Sequence, residues 1–125
     1  MSAEGHGRGR LSRSAEFERV YRHGRSTANR HLVLYSFPNA ESGRPRLGLS
    51  VSRKVGGAVE RNLVKRLLRE SFAEVEPGMN PGHDVVVVAR PDVSELAERE
   101  GLAGVGGALR ELIGRAGLLA ADGEQ

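Results

Sequence analysis

The chain has no cysteine and no tryptophan, and its aromatic rings are limited to three Phe and two Tyr in 125 residues. Without cysteine there are no disulfides, no thiol nucleophile and no thiolate metal site. A reducing compartment is consistent with that composition. No run approaches the roughly 20 apolar residues of a membrane-spanning helix. The opening MSAEGHGRGRLSRS lacks the apolar stretch of a signal peptide. A soluble cytoplasmic protein is therefore expected, with no membrane partner. Lysine is also scarce: of 19 cationic residues only Lys54 and Lys65 are not arginine. With so few rings, the core has to be built mainly from Leu, Val and Ala, and the length suits one modest domain.

What is present is unevenly placed. Residues 1–70 hold 15 Lys and Arg against 6 Asp and Glu, whereas residues 71–125 hold 4 against 10. The net charge of +3 thus hides a basic first half and an acidic second half. Such a split points to a localised anion-binding surface.

The element pattern is mixed. SRSAEFERVYRHG reads as a short helix, with Ser12 or Ser14 at its start, Gly24 at its end, and Phe17, Val20 and Tyr21 on one face. RHLVLYSF (30–37) reads as a strand by its β-branched and aromatic content and RLGLSVS (46–52), by its alternation, as a half-buried strand, the two expected to pair antiparallel. A helix is predicted from Ala58 to Val75, closed by Pro77, Gly78, Pro81 and Gly82. DVVVVAR (84–90) is a continuous apolar run, as in a central strand covered on both faces. A last helical region opens with Asp92 as cap and Glu95 three positions on. Gly101, Gly104, Gly106 and Gly107 interrupt it. The expected order is α-β-β-α-β-α in an α+β fold with a small sheet.

The helix 58–75 carries the most informative pattern. At about 100° per residue from Arg61, Lys65 falls near 40°, Arg69 near 80°, Asn62 near 100° and Arg66 near 140°. Leu63, Val64, Leu67 and Leu68 fill the opposite arc. Arg61, Lys65 and Arg69 form a like-charge ladder at i, i+4, and such spacing is mildly repulsive on a solvated helix. Neither Glu60 nor Glu70 pairs neatly with it. A phosphate backbone would turn the repulsion into attraction. Two readings are open: a solvated face, or a surface for a polyanion.

Phe17, Tyr21, Tyr35 and Phe37 lie within 21 residues. They serve either as core or as a stacking surface. Ser50, Ser52, Arg53 and Lys54 on the next segment would supply hydroxyls and cations beside them, which is what single-stranded nucleic acid requires. Other signals are weaker. Gly56-Gly57 lacks a P-loop spacing, and the four histidines lack metal-ligand spacing. His83-Asp84 reads as a strand entrance. No catalytic residue and no metal ligand is assigned.

GLSVSRKVGGAVERNLVKRLLRESF (48–72) resembles the signature of the bacterial ribonuclease P protein family, whose helix pattern is Arg-Asn-Arg-x-Lys-Arg-x-x-Arg-Glu. Arg61, Asn62, Lys65, Arg66, Arg69 and Glu70 match it, and Leu63 stands where the family has Arg. The resemblance extends over about residues 10–92. It implies a small α/β sandwich akin to the second domain of ribosomal protein S5, with a left-handed βαβ crossover. It implies a protein subunit, one per catalytic RNA, that assists removal of the 5′ leader from precursor tRNA. Mg²⁺ would be held mainly by that RNA. Arg61, Asn62, Lys65, Arg66 and Arg69 would face the catalytic RNA. Phe17, Tyr21, Val33, Tyr35, Ser50, Ser52, Arg53 and Lys54 would face the leader. The expected divisions are a flexible basic arm over 1–11, an RNA-binding domain over 12–117 and a frayed tail over 118–125. A ribosomal or general RNA-binding protein without an enzyme partner is the alternative, and a protein-only nuclease is a further rival.

Overall fold

The computed structural model describes Leu11, residues 14–41 and residues 43–120. The elements run α1 (Ser14–His23), β1 (Arg25–Ala28), β2 (Leu32–Pro38), β3 (Arg46–Ser50), α2 (Ala58–Val75), a 3₁₀ turn (Glu76–Gly78), β4 (His83–Ala89) and α3 (Val93–Arg115). The four strands form one sheet in the order β1-β2-β4-β3. β2 is antiparallel to both its neighbours, and β3 is parallel to β4.

Two features of the sheet differ from the sequence expectation. β1 is an additional strand: RSTA has no apolar alternation, because three of its four residues are exposed at the sheet edge. β3 does not pair with β2, because β4 lies between them. The periodicity of β2 and β3 shows that each has a buried face but cannot name the neighbour. The continuous apolar run of β4 gives the central position, and Asp84, Val85, Val86 and Val87 are all buried there.

α2 keeps its expected limits. Gly57 stands at its N-cap, and its N–H donates to the Glu60 carboxylate at 2.9 Å. Glu60, which pairs with none of the stripe's cations by spacing, thus serves the helix start. Val64, Leu67, Leu68 and Phe72 are buried. α3 continues through the glycine-rich segment but breaks at Gly101, where φ is 58° and ψ −142°, a conformation that a side chain strongly disfavours. Asp92 occupies the N-cap without a side-chain capping bond, and its carboxylate instead receives Arg30 Nε at 3.3 Å.

Each sheet face has its own core. Leu32, Leu34, Leu47, Val85, Val87 and Ala89 join α2 and α3 in the larger cluster. Each fully buried Leu or Val there contributes about 1.5–3 kcal/mol. Leu11, Val20 and Val86 centre the smaller cluster on the other face, against Phe17, Tyr35, Phe37 and Val88. Leu11 is buried and donates its N–H to Leu47 O at 2.8 Å, so it belongs to the fold and not to an arm. Residues 1–10, the rest of that arm, lie outside the described residues. At the other terminus Leu118 is buried, and Ala120 N–H donates to Gly78 O at 2.8 Å. Residues 118–120 are therefore docked, not frayed, and 121–125 lie outside the described residues.

One end of the smaller face is closed by charge. Asp84 is fully buried and accepts two bonds from Arg46, Nε–Oδ1 at 2.9 Å and Nη2–Oδ2 at 3.0 Å. Asn39 Nδ2 adds a bond at 3.1 Å, and Arg46 Nη1 reaches Glu16 of α1 at 3.1 Å. The bonds to Asp84 raise the Arg46 pKa above its ordinary value. A raised pKa gives stability that is lost only as pH rises through that value, so this contribution is constant across neutral pH. Arg46→Ala would strand the Asp84 carboxylate, and a loss of about 3–5 kcal/mol is expected in urea unfolding at pH 7. An unchanged unfolding free energy would contradict the role assigned to this pair.

Candidate nucleic-acid interface

The strand register sorts the smaller face into rows. Arg46, Asp84 and Phe37 form the closed row. Gly48, Val86, Tyr35 and Ser26 form the next, and Ser50, Val88, Val33 and Ala28 the one after. α1 lies over the first two. Its Glu16 reaches Arg46, and its Tyr21 ring meets Tyr35 edge-on with centroids 5.0 Å apart. Phe17 sits over Gly48 so closely that a Cβ there would stand 2.6 Å from its ring. A larger residue at 48 would lift α1 off the sheet.

The third row is left half open. Ser50, Val88 and Val33 are half-buried and Ala28 is exposed. This row is the floor of a cleft with Phe17 and Tyr21 along its α1 wall. Neighbouring strands stand about 4.8 Å apart, so four strands give a floor of roughly 14 Å. The aromatics divide between the two sequence readings. Phe17 and Tyr35 pack against the smaller core, while Tyr21 is 40% exposed. Ring edges are thus anchored in the core with apolar surface still available for stacking.

Beyond the floor the sheet ends in polar groups. The β3–α2 connection is pinned by buried Val51 and Val55, which leave Ser52, Arg53 and Lys54 exposed between them. The turn is held by Val55 N–H on Ser52 O at 3.0 Å and Lys54 N–H on Ser52 Oγ at 3.3 Å. Because β3 and β4 are parallel, Arg90 leaves the same end. Its N–H donates to His31 O at 2.9 Å, continuing the β2–β4 ladder by one pair. Arg90 and His31 were not singled out in the sequence. The signal was available: two residues past Val88 and two before Val33 is the same face.

α2 starts at this end and carries the other predicted set. Asn62, Arg66 and Arg69 are exposed, and Arg61 and Lys65 are half-buried. The stripe is less free of acids than its angular pattern suggests, because Arg66 Nη1 lies 3.5 Å from Glu70 Oε2. That exposed pair is worth only a few tenths of a kcal/mol. Arg61 Nε is buried and, among the described residues, is the one buried side-chain nitrogen or oxygen without a hydrogen-bond partner. Leu63, where Arg was expected, packs half-buried against the larger core. The expected residues therefore gather into two surfaces, the cleft and the α2 stripe, meeting at the β3–α2 connection. No described helix is long and apolar enough to cross a membrane.

The family model for ribonuclease P matches residues 6–114. The ribonuclease P protein component of Geobacillus thermodenitrificans is 44% identical over 91 residues, covering 73% of this chain and 75% of that protein. The Staphylococcus aureus RNase P protein superposes with a TM-score of 0.81 at 33% identity, over 90% of this chain and 98% of that one. The Thermotoga maritima RNase P protein gives 0.77 at 34% identity, over 86% and 97%. The family match spans α1, the four strands and the α2 motif, and the chain belongs to the ribonuclease P protein component family.

Proposed function

We propose that this chain assists a catalytic RNA in removing the 5′ leader from precursor tRNA, holding that RNA on the α2 stripe and the leader in the cleft. The observation that carries this reading is the pairing of two different anion surfaces at one end of the sheet. One is a helix face rich in Arg and Lys. The other is a half-open apolar floor with ring surfaces on one side and cations at its end.

The two surfaces suit different tasks. Cations along a helix neutralise phosphates and release counterions, giving affinity without sequence preference. A floor with aromatic walls stacks any base, since every base has a π-face. A subunit that serves many precursors benefits from that tolerance. Bringing catalytic RNA and leader to one end of one small protein also screens their mutual repulsion.

Catalysis is assigned to the RNA. Arg and Lys stay protonated near neutral pH and are poor general bases. The acids around the cleft are already engaged: Asp84 and Glu16 with Arg46, and Glu60 with the Gly57 N–H. Among the described residues no group of three or more His, Cys, Asp or Glu is placed to hold a metal ion. Mg²⁺ would then be held mainly by the catalytic RNA. The protein's contribution is to bind and orient RNA, as one protein per catalytic RNA.

Arg66→Ala and Arg69→Ala should each weaken binding to the catalytic RNA and lower the magnitude of the salt slope by about one. Filter binding between low and moderate salt measures this, and wild-type affinity and slope in both variants would make the stripe a solvated face only.

Tyr21→Ala should cost about 1–3 kcal/mol in precursor tRNA affinity while mature tRNA binding is unchanged. Tyr35→Ala should add a loss of stability, because that ring also packs in the smaller core. Equal losses for both tRNAs in Tyr21→Ala, at unchanged melting temperature, would contradict a leader cleft.

A further inference from the structure

We infer that the corner where β1 and β2 meet the end of α3 is a nucleotide pocket, with Arg25 for the phosphate and Ser36, Asn80, His83 and Ala116 for the sugar and base. These five residues line a pocket of about 400 Å³, within the roughly 300–1,000 Å³ of small-molecule sites. The register sets it apart from both surfaces described above. Arg25 pairs with Ser36, and Ser36 with Val85. Ser36 follows Leu32 and Leu34 by two-residue steps, so this row lies on the larger face, turned away from the cleft. His83 opens β4 at this end, whereas the α2 stripe begins at the opposite end of the strands.

The polar groups of the pocket are uncommitted. Buried polar side chains are normally hydrogen-bonded. Ser71 donates to Leu67 O at 2.8 Å, and Asp84 accepts from Arg46 at 2.9 Å. The other buried polar residue, Ser36, has a hydroxyl that makes no hydrogen bond among the described residues, and it lines the pocket. Arg25 is exposed, and no carboxylate pairs with it among the described residues. Asn80 is fixed through its backbone, whose N–H donates to Leu118 O at 2.8 Å. Its side-chain amide makes no hydrogen bond among the described residues.

The mixture of donors and acceptors decides the class of ligand. His83 Nδ1 lies 3.1 Å from Pro81 O. A carbonyl only accepts, so Nδ1 carries the proton and Nε2 of the neutral ring is an acceptor. The turn that ends α3 uses the carbonyls of Leu112, Ile113 and Gly114, which accept the N–H groups of Ala116, Leu118 and Gly117. The Ala116 carbonyl is not among them, and a helix C-terminus carries partial negative charge. A bare phosphate would meet one guanidinium and then these lone pairs. A nucleotide matches the pocket at both ends. Its phosphate meets Arg25, its hydroxyl or amino hydrogens meet Ala116 O and His83 Nε2, and either kind of group suits Ser36 and Asn80. The same chemistry is offered by an RNA residue turned out of its strand and by a free mononucleotide.

The test is amide NMR on the full-length chain, titrated with the four nucleoside 5′-monophosphates, the matching nucleosides and inorganic phosphate. At least one monophosphate should shift the amides of Ser36, Asn80 and His83, and should bind more tightly than its nucleoside and than inorganic phosphate. Arg25→Ala should weaken that binding at least about tenfold, the worth of a hydrogen bond to a charged group. Ser36→Ala, which removes a single hydroxyl, should weaken it about threefold to tenfold. Arg99→Ala, an exposed arginine of α3 outside the pocket, should bind as wild type. Reconstitution with the catalytic RNA identifies the source. If an RNA residue fills the pocket, monophosphate binding is lost in the complex and Arg25→Ala weakens RNA affinity. If the ligand is a free nucleotide, the complex still binds it and RNA affinity is unchanged in Arg25→Ala. Absence of shifts at the pocket with every monophosphate, inorganic phosphate binding as tightly as the nucleotides, unchanged binding in Arg25→Ala, or equal losses in Arg25→Ala and Arg99→Ala would overturn the inference.

Discussion

The pairing of β4 with strands on both sides is the constraint on which the rest depends. As a central strand it must bury both faces, and its run of valines does so. Its antiparallel register with β2 and parallel register with β3 align Tyr35, Val86 and Gly48 in one row, and Val33, Val88 and Ser50 in the next. A slip of one residue would turn each of these side chains to the opposite face. The buried Arg46–Asp84 pair opposes such a slip, because Asp84 has its cation only in the observed alignment. Cleft and closed end are consequences of that register.

The same arrangement reconciles two demands on α1. The helix must cover part of the smaller face, or Val86 and Tyr35 would lose their packing. For the proposed leader cleft it must also leave part of that face uncovered. Its ten residues cover two rows and no more. Gly48 allows the close approach, and the Arg46–Glu16 bond sets where the helix begins. Electrostatics completes the design. The cations that would repel one another lie along one helix face and at one strand end, and under the proposed function RNA phosphates neutralise them there.

Much of this was readable in the chain. The limits of α2 follow from its apolar period and the glycine and proline punctuation around it. The central place of β4 follows from an unbroken apolar run. The family motif then attached roles to Arg61, Asn62, Lys65, Arg66 and Arg69. Other features were hidden for physical reasons. β1 has no apolar face to signal it. The neighbour of β3 is set by a long-range register that periodicity does not encode. Glu60 as a helix-start acceptor, and Asp92 as a partner of Arg30 instead of a cap, depend on geometry that spacing leaves open. Arg90 sits one pair past a strand end, where alternation still applies but strand composition has stopped. The glycine-rich region of α3 resolved as a helix with a single break at Gly101 because the other glycines keep helical angles.

The absence of cysteine offers a direct test of the central claim that cleft and stripe hold different RNAs. Single cysteines can be introduced at Ala28, on the cleft floor, and at Ala73, on the stripe side of α2, and each tethered to an iron chelate that cleaves nearby RNA. In the reconstituted complex with precursor tRNA, the Ala28→Cys probe should cut the leader and the Ala73→Cys probe the catalytic RNA. Cuts in the same RNA from both positions, or leader cuts only from Ala73→Cys, would contradict the account.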